Sequence, residues 1–330
     1  MKFAFTADLH LKVWNDKIID ENGIPLKLKE ILNCFRQICQ HCKHNQIENI
    51  IIGGDVNDLK NIVHYKSFVL LKEIIEEYDK IHFYIIHGNH DSAGKEDLYS
   101  AIQLLNGPSN VTTFVEKSII DDIVFIPWSG NMVDEILECE PKKILISHFG
   151  LNEAQLSSGI SIKTNIKINN LKKFDLVLLG HYHKPQQLAN VYYVGSPIQL
   201  NRGEADEEKR FLVVNSETLE VESHKTMGYR KYFNIVLESK EELDEKINDI
   251  KELQKEGMIT IKNKIKDLDL QELHISEDVR VINEVEEEYQ LRGITSDMKI
   301  TEQMKKYLEI QKIPEDQHQE YIDVFLEIVK

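Results

Sequence analysis

Residues 81–91 read Ile-His-Phe-Tyr-Ile-Ile-His-Gly-Asn-His-Asp. The stretch is an apolar run of strand character that spills into Gly88-Asn89-His90-Asp91. An amide oxygen, an imidazole and a carboxylate in succession at a strand's exit can offer a metal ligand, a proton donor and an orienting group. The same layout occurs four more times. Asp8-Leu9-His10 follows Phe3 to Ala7, and Gly54-Asp55-Val56-Asn57-Asp58 follows Ile50 to Ile52. Further on, Ser147-His148 follows Ile144 to Ile146, and Gly180-His181-Tyr182-His183 follows Leu176 to Leu179.

Outward from this stretch, short β-branched runs alternate with helical patterns, the βαβ signature. The spacing predicts strands at 3–7, 50–53 and 81–86, with helices at 27–45 and 64–78 between them. After Pro108 the text becomes richer in strands, expected at 111–115, 123–126, 144–147, 176–179, 191–194, 211–214 and 219–223. An α/β layered sandwich, with two mixed sheets between helices, fits this order. In open α/β sheets ligands collect at the carboxyl ends of strands, and each motif lies at such an end.

Around Gly228 the composition turns charge-rich, with a strand at 232–237, a helix at 240–256 and strands at 258–265 and 279–285. That is a small α+β module without a cluster of His, Cys or paired ligands, suited to shaping substrate access. From Thr301 two amphipathic helices are split by Ile313-Pro314, with Met304, Tyr307, Leu308 and Ile310 on the first and Tyr321, Val324, Phe325, Ile328 and Val329 on the second. Either the pair packs on the body or it docks on a partner helix. The expected divisions are 1–228, 229–294 and 295–330.

A length of 330 residues with 42% hydrophobic side chains suits about two domains. No run approaches the roughly 18 apolar residues of a membrane span, and the N-terminus opens on a strand pattern rather than a signal segment, so a cytoplasmic protein without membrane contact is expected. Cys39 and Cys42, with Cys34, His41 and His44 nearby, resemble a zinc knuckle. They follow the helical period of Leu28, Ile31, Leu32, Phe35 and Ile38, and read instead as core residues. A net charge of −16 argues against a general polyanion binder. About nine of those charges lie after Thr226, and several N-terminal carboxylates sit in the motifs, where two divalent cations would offset them.

Phosphodiester hydrolysis needs a hydroxide near neutral pH, charge to offset the phosphoryl oxygens and stabilisation of the departing alkoxide. A pair of cations needs one bridging ligand, for which Asp55 is the candidate. Asp8, His10 and one imidazole of His181 and His183 can complete one metal; Asn89, His148 and the other imidazole can complete the second. Mixed N and O donors without thiolates suit manganese, iron or zinc better than calcium. His90 is the candidate for leaving-group protonation, with Asp91 orienting it, and Asp58 can hold an imidazole in its tautomer. His82 and His87 read as structural, and His64 as at most a phosphate contact.

Taken together, Asp-x-His, Gly-Asp-x-x-Asp, Gly-Asn-His-Asp, a lone strand-end His and Gly-His-x-His resemble the calcineurin-like metallophosphoesterase superfamily over residues 1 to about 225. Within it, Val194-Gly195-Ser196-Pro197, Gly203-Glu204-Ala205 and Lys209-Arg210-Phe211 are similar to SbcD-type nuclease subunits, including phage recombination endonucleases. The resemblance implies a four-layer α/β sandwich with a capping domain and C-terminal helices. It implies a manganese-dependent exonuclease on double-stranded DNA and endonuclease on single strands, working in DNA repair and recombination with an SbcC-type coiled-coil ATPase held by those helices. It also implies a homodimer through residues 64–78 and 97–105. By the same resemblance the metal ligands are Asp8, His10, Asp55, Asn89, His148, His181 and His183, with His90 catalytic. His183 then goes with the Asp8/His10 metal, and His181 with the Asn89/His148 metal. With no extended basic tail, a compact bacterial or phage-type protein is expected. A small-molecule phosphodiesterase or protein phosphatase of the same superfamily, and a noncatalytic scaffold, are the other readings.

Overall fold

The computed structural model describes residues 1–15, 18–97, 99–265, 279–283 and 298–328. The chain divides into two compact units, residues 1–234 with 252–259, and residues 235–251 with 260–330.

In the first unit, β1 (Lys2–Thr6), β2 (Asn49–Ile52), β3 (His82–Ile86) and β4 (Val111–Phe114) run parallel. Two further strands, β11 (Arg210–Asn215) and β12 (Val221–Lys225), extend this sheet antiparallel from β1, giving the order β12-β11-β1-β2-β3-β4. The parallel centre of the second sheet is β6 (Ile123–Ile126), β7 (Lys142–His148), β8 (Phe174–Gly180) and β10 (Val191–Tyr193). Antiparallel edges close it, β5 (Ser118–Ile120) and β9 (Gln186–Leu188), in the order β5-β6-β7-β8-β10-β9.

Strand alternation decides the layers. Phe3, Phe5, Ile51 and Ile86 point inward and meet Phe125, Ile144, Ile146 and Leu178 of the other sheet. Ala4, Ile50, Ile52, Phe83 and Ile85 point outward, under α1 (Leu26–His44) and α2 (Tyr65–Glu77). On the far side Val124, Leu145, Val177 and Leu179 pack with Met132 and Ile136 of α3 (Met132–Glu138). The result is the four-layer sandwich expected from the sequence. Each fully buried Phe or Ile contributes roughly 1.5–3 kcal/mol, so the two strand faces carry much of the stability.

Cys34, Cys39 and Cys42 lie on the buried face of α1, and burial pushes the Cys34 and Cys42 thiols up to about 12. Neutral thiols in a hydrocarbon layer are core, as read from their period.

Several elements differ from expectation. Within the segment 97–105, which the resemblance assigns to the dimer contact, the described residues form a short 3-10 turn, Ala101–Leu105, with Gln103 Oε1 accepting the Ser100 N–H at its start. The strand expected at 219–223 begins at Val221, since Leu219 takes a left-handed turn conformation (φ +63°). Helix α3 and the edge strands β5 and β9 were not anticipated.

In the second unit and at its junctions with the first, α4 (Lys240–Glu256) accompanies a sheet of β13 (Lys231–Leu237), β14 (Gly257–Asn263) and β15 (Val279–Asn283). Leu237, Leu243, Ile250 and Ile261 are buried here. The tail forms α5 (Ile300–Ile310) and α6 (His318–Ile328), which pack on one another with Leu308 and Ile322 buried. Residues 284–285 of the expected last strand, the boundary expected at 294 and Val329 lie outside the described residues. Among the described residues no helix is long and apolar enough to cross a membrane.

Candidate metal centre

Strand register brings the motifs to one rim. Thr6 pairs with Ile52 and Ile52 with Ile85, so β1, β2 and β3 release their loops side by side; His148 pairs with Gly180 at the ends of β7 and β8. Beyond the strands the first two loops remain zipped by backbone bonds. Asp8 N–H donates to the Gly54 carbonyl (3.0 Å), His10 N–H to that of Asp55 (3.0 Å) and Leu11 N–H to that of Val56 (2.8 Å).

The backbone itself is bent to aim these side chains. Asp8 (φ +56°), His10 (φ +47°), Asp55 (φ +52°) and His181 (φ +88°) all occupy the left-handed region. Each such non-glycine residue costs on the order of 1–3 kcal/mol, strain that concentrates at functional sites. Gly88 is required for a different reason. A Cβ there would lie 2.3 Å from the Asp55 amide nitrogen and 2.3 Å from Asp55 Oδ1.

Two sets of donors converge. Asp8, His10 and His183 form one and Asp55, His148 and His181 another, each with its ligand atoms within 4.8 Å of one another. Asp55 Oδ2 lies between them, 3.1 Å from His148 Nε2 and 3.6 Å from His10 Nε2. Asn89 Oδ1 joins the second set, 2.7 Å from His181 Nδ1 and 3.2 Å from His148 Nε2. Asp8 accepts the His181 N–H on both carboxylate oxygens, at 3.0 and 3.1 Å.

The hydrogen-bond partners constrain the tautomers. His183 Nδ1 faces the Glu204 carboxylate (2.9 Å) and His10 Nδ1 the Asp58 carboxylate (3.2 Å). Both Nδ1 atoms must therefore donate, so with both rings neutral two Nε2 lone pairs would face each other 3.0 Å apart; although burial opposes it, Glu204 and Asp8 raise His183, which favours a proton in that gap when no cation is bound. His148 repeats the pattern: Nδ1 donates to the Gly53 carbonyl (2.7 Å), and Nε2 faces oxygen acceptors only, Asp55 and Asn89. Acceptors aimed at acceptors repel unless a cation or a proton lies between them. These residues fit two divalent ions, with Asp55 shared.

Electrostatics agree. Burial raises the Asp8 carboxyl, opposed by His148 and His183. Burial also works against Asp55, yet His148 and His10 hold it well below the usual carboxylate range. His148 loses solvation too, but Asp55 and Asp8 raise it to about 9, so a proton occupies the position that a metal would take. His181, buried and beside His148, falls to about 3 and is a neutral donor.

Asp58 does hold an imidazole. Its carboxylate takes His10 Nδ1 and Lys12 Nζ (2.7 Å), which offset burial and bring it to about 2. His90 sits beside His10, ring centroids 4.8 Å apart, with one nitrogen close enough to His10 and Asp55 to form a third donor group.

One expected role needs correction. Asp91 does not orient the His90 ring, whose Nδ1 bonds instead to the Asp58 carbonyl oxygen (2.5 Å). In the turn closed by Asp91 N–H to the Gly88 carbonyl, the Asp91 side chain points inward. It accepts the N–H groups of Gly88 and Asn57, both at 2.8 Å. Burial and the nearby Asp55 push Asp91 up to about 7. Asp91 thus ties the β3 loop to the β2 loop.

Glu204 has no assigned role in the sequence motifs, yet it is 1% exposed and bonds His183. His82 bonds Thr112, and His87 is buried and neutral, lowered to about 4 by burial, its ring stacked parallel to Trp128. Both are structural, as expected. A cavity of about 660 Å³ between Glu207, Lys209, Tyr229 and Phe233 holds none of these donors and meets the site through Lys209.

A sequence profile of the calcineurin-like phosphoesterase family matches residues 1–185. Among curated proteins, exonuclease subunit 1 of Enterobacteria phage T4 is 27% identical over 233 residues. The SbcD component of the SbcCD nuclease from Staphylococcus epidermidis is 30% identical over 261 residues. Each alignment covers 66% of this chain and 66% of the relative.

Proposed function

The chain belongs to the calcineurin-like phosphoesterase family, and from that premise we propose that it is a two-metal DNA nuclease, a double-strand exonuclease and single-strand endonuclease. The observation that carries this reading is the His10 and His183 Nε2 atoms facing each other at 3.0 Å, next to a second set of ligand atoms around Asp55. The substrate class rests on similarity to two nuclease components over about two thirds of the chain.

Asp8, His10, His183 and Asp55 would hold one ion; Asp55, Asn89, His148 and His181 the other. With imidazole, carboxylate and amide donors, manganese is the proposed metal. When bound, the ions supply the charge that activates water and neutralises the phosphoryl oxygens. The chain's own residues do the rest. Asp58 and Glu204 fix the tautomers of His10 and His183. His90 is held through its backbone N–H to Asp55 Oδ1 (2.8 Å) and through Nδ1–H to the Asp58 carbonyl, so only the ring carrying a second proton, as imidazolium, would pass the Nε2 proton to the departing sugar oxygen and be left neutral.

The exposed apolar residues Tyr65 and Val69 of α2, with Tyr99 and Leu104, support a homodimer through that face. Tyr307, Ile310, Tyr321 and Val324, exposed on α5 and α6, support docking on an SbcC-type coiled-coil ATPase. The module from 229 to 294 is proposed to shape DNA access, and the protein to act in the cytoplasm of a bacterial cell or phage-infected host.

The test is manganese-dependent degradation of labelled duplex and single-stranded DNA, run beside bis(p-nitrophenyl) phosphate and with the ATPase present. Cleavage of DNA is expected. Hydrolysis of the small ester alone would favour a small-molecule phosphodiesterase or phosphatase, and no hydrolysis at all a scaffold.

A further inference from the structure

The two metal positions are not equally supported behind their ligands. His183 Nδ1 rests on the carboxylate of Glu204, and His10 Nδ1 on that of Asp58. Among the described residues the partner of His148 Nδ1 is the neutral Gly53 carbonyl, and the amide Asn89 takes the place that Asp8 fills on the other side. An anionic partner behind an imidazole increases its donor strength and fixes its ring, and loss of such a partner typically costs 10- to 100-fold in metal affinity.

Glu204 is built for this task. Its Oε1 accepts from His183 Nδ1 (2.9 Å) and Asn201 Nδ2 (2.7 Å). Its Oε2 accepts from Ser196 Oγ (3.1 Å), the Leu200 N–H (3.1 Å) and Lys209 Nζ (2.7 Å). Lys209 is equally committed: besides Glu204 it donates to Glu207 (2.7 Å) and to the His183 carbonyl (2.8 Å). Both charges are 1% exposed. A buried lysine and glutamate spend desolvation energy that hydrophobic residues would not, so their placement against His183 on two sides calls for a reason beyond packing.

Resting on the two-metal reading above, we infer that Glu204, braced by Lys209, is a positioning residue that makes the Asp8–His10–His183 position the tight, resident metal site and leaves the Asn89–His148–His181 position the looser, exchangeable one. Loss of Glu204 then weakens one ion and spares the other.

The test is calorimetric titration of Mn²⁺ into the metal-free full-length protein, with bound Mn²⁺ counted by electron paramagnetic resonance. Wild type is expected to show two classes of site. Glu204→Gln, which keeps the shape and removes the charge, is expected to weaken the tight class at least tenfold and leave the loose class within about threefold. Asn89→Ala is the reciprocal variant and is expected to weaken only the loose class. If Glu204→Gln shows no cooperative melt, Asn201→Ala, which loosens Glu204 without removing it, is expected to give a smaller shift confined to the tight class. Two wild-type sites of equal affinity, an unchanged tight class, or a Glu204→Gln shift falling on the loose class would overturn the inference and leave the two-metal reading standing. A wild type holding fewer than two ions would overturn both.

Discussion

Gly88→Ala replaces one hydrogen by a methyl where the β3 loop lies against the β2 loop of the candidate site. The new Cβ would lie 2.3 Å from the Asp55 amide nitrogen, 2.3 Å from Oδ1 and 3.0 Å from Cγ. Ordinary contact begins near 3.4 Å, so the loops must part, or the Asp55 carboxylate must move, by about 1 Å. Asp55 is the proposed shared ligand and accepts the His90 N–H, so one displacement would disturb both proposed metal positions and the proposed proton donor. A misplacement of about 1 Å costs roughly 100-fold in rate, equivalent to about 2.7 kcal/mol of barrier. The assay is manganese-dependent hydrolysis of bis(p-nitrophenyl) phosphate, with a thermal melt to show that the variant is folded. Gly94→Ala is the control, because nothing lies within 4 Å of a Cβ there, and it is expected to match wild type. A folded Gly88→Ala protein within threefold of wild-type turnover would refute the reasoning.

Three further outcomes are expected. His90→Ala should lower kcat by about 10²- to 10⁴-fold while retaining both ions, measured by single-turnover kinetics and metal analysis; loss of an ion would make His90 a ligand instead. In the metal-free protein Glu204, buried but held down to about 2 by its bonds to His183 and Lys209, contributes stability that is present above its unfolded value near 4.5 and lost as pH falls through about 2. The contribution is on the order of 3 kcal/mol, and urea titrations of wild type and Glu204→Gln at pH 5, 3.5 and 2.5 should converge toward low pH; parallel curves would contradict it. Deleting residues 301–330 should spare hydrolysis of the small ester and abolish co-purification with the ATPase, and unchanged co-purification would refute the assignment of the tail.

The candidate ligands were legible because each follows a short apolar run, and a parallel strand delivers whatever follows it to the same rim. Helix α1 was legible from the period of Leu28, Ile31, Phe35 and Ile38, which also kept Cys39 and Cys42 out of any zinc site. Asp91 was misread because adjacency in sequence suggested contact, whereas a tight turn sends consecutive side chains in different directions. Glu204 stands 21 residues from His183 and beside other acidic residues. Its burial comes from the sandwich closing over it, and one-dimensional text does not carry that. The three-residue edge strands β5 and β9 are likewise set by neighbours, their own sequences being too short to alternate visibly.

The most direct measurement is an anomalous difference map at the manganese edge from a crystal of the full chain soaked in Mn²⁺. Two peaks are expected, one among Asp8, His10, His183 and Asp55 and one among Asp55, Asn89, His148 and His181. A featureless map between those side chains would contradict the convergence on which the proposed chemistry stands.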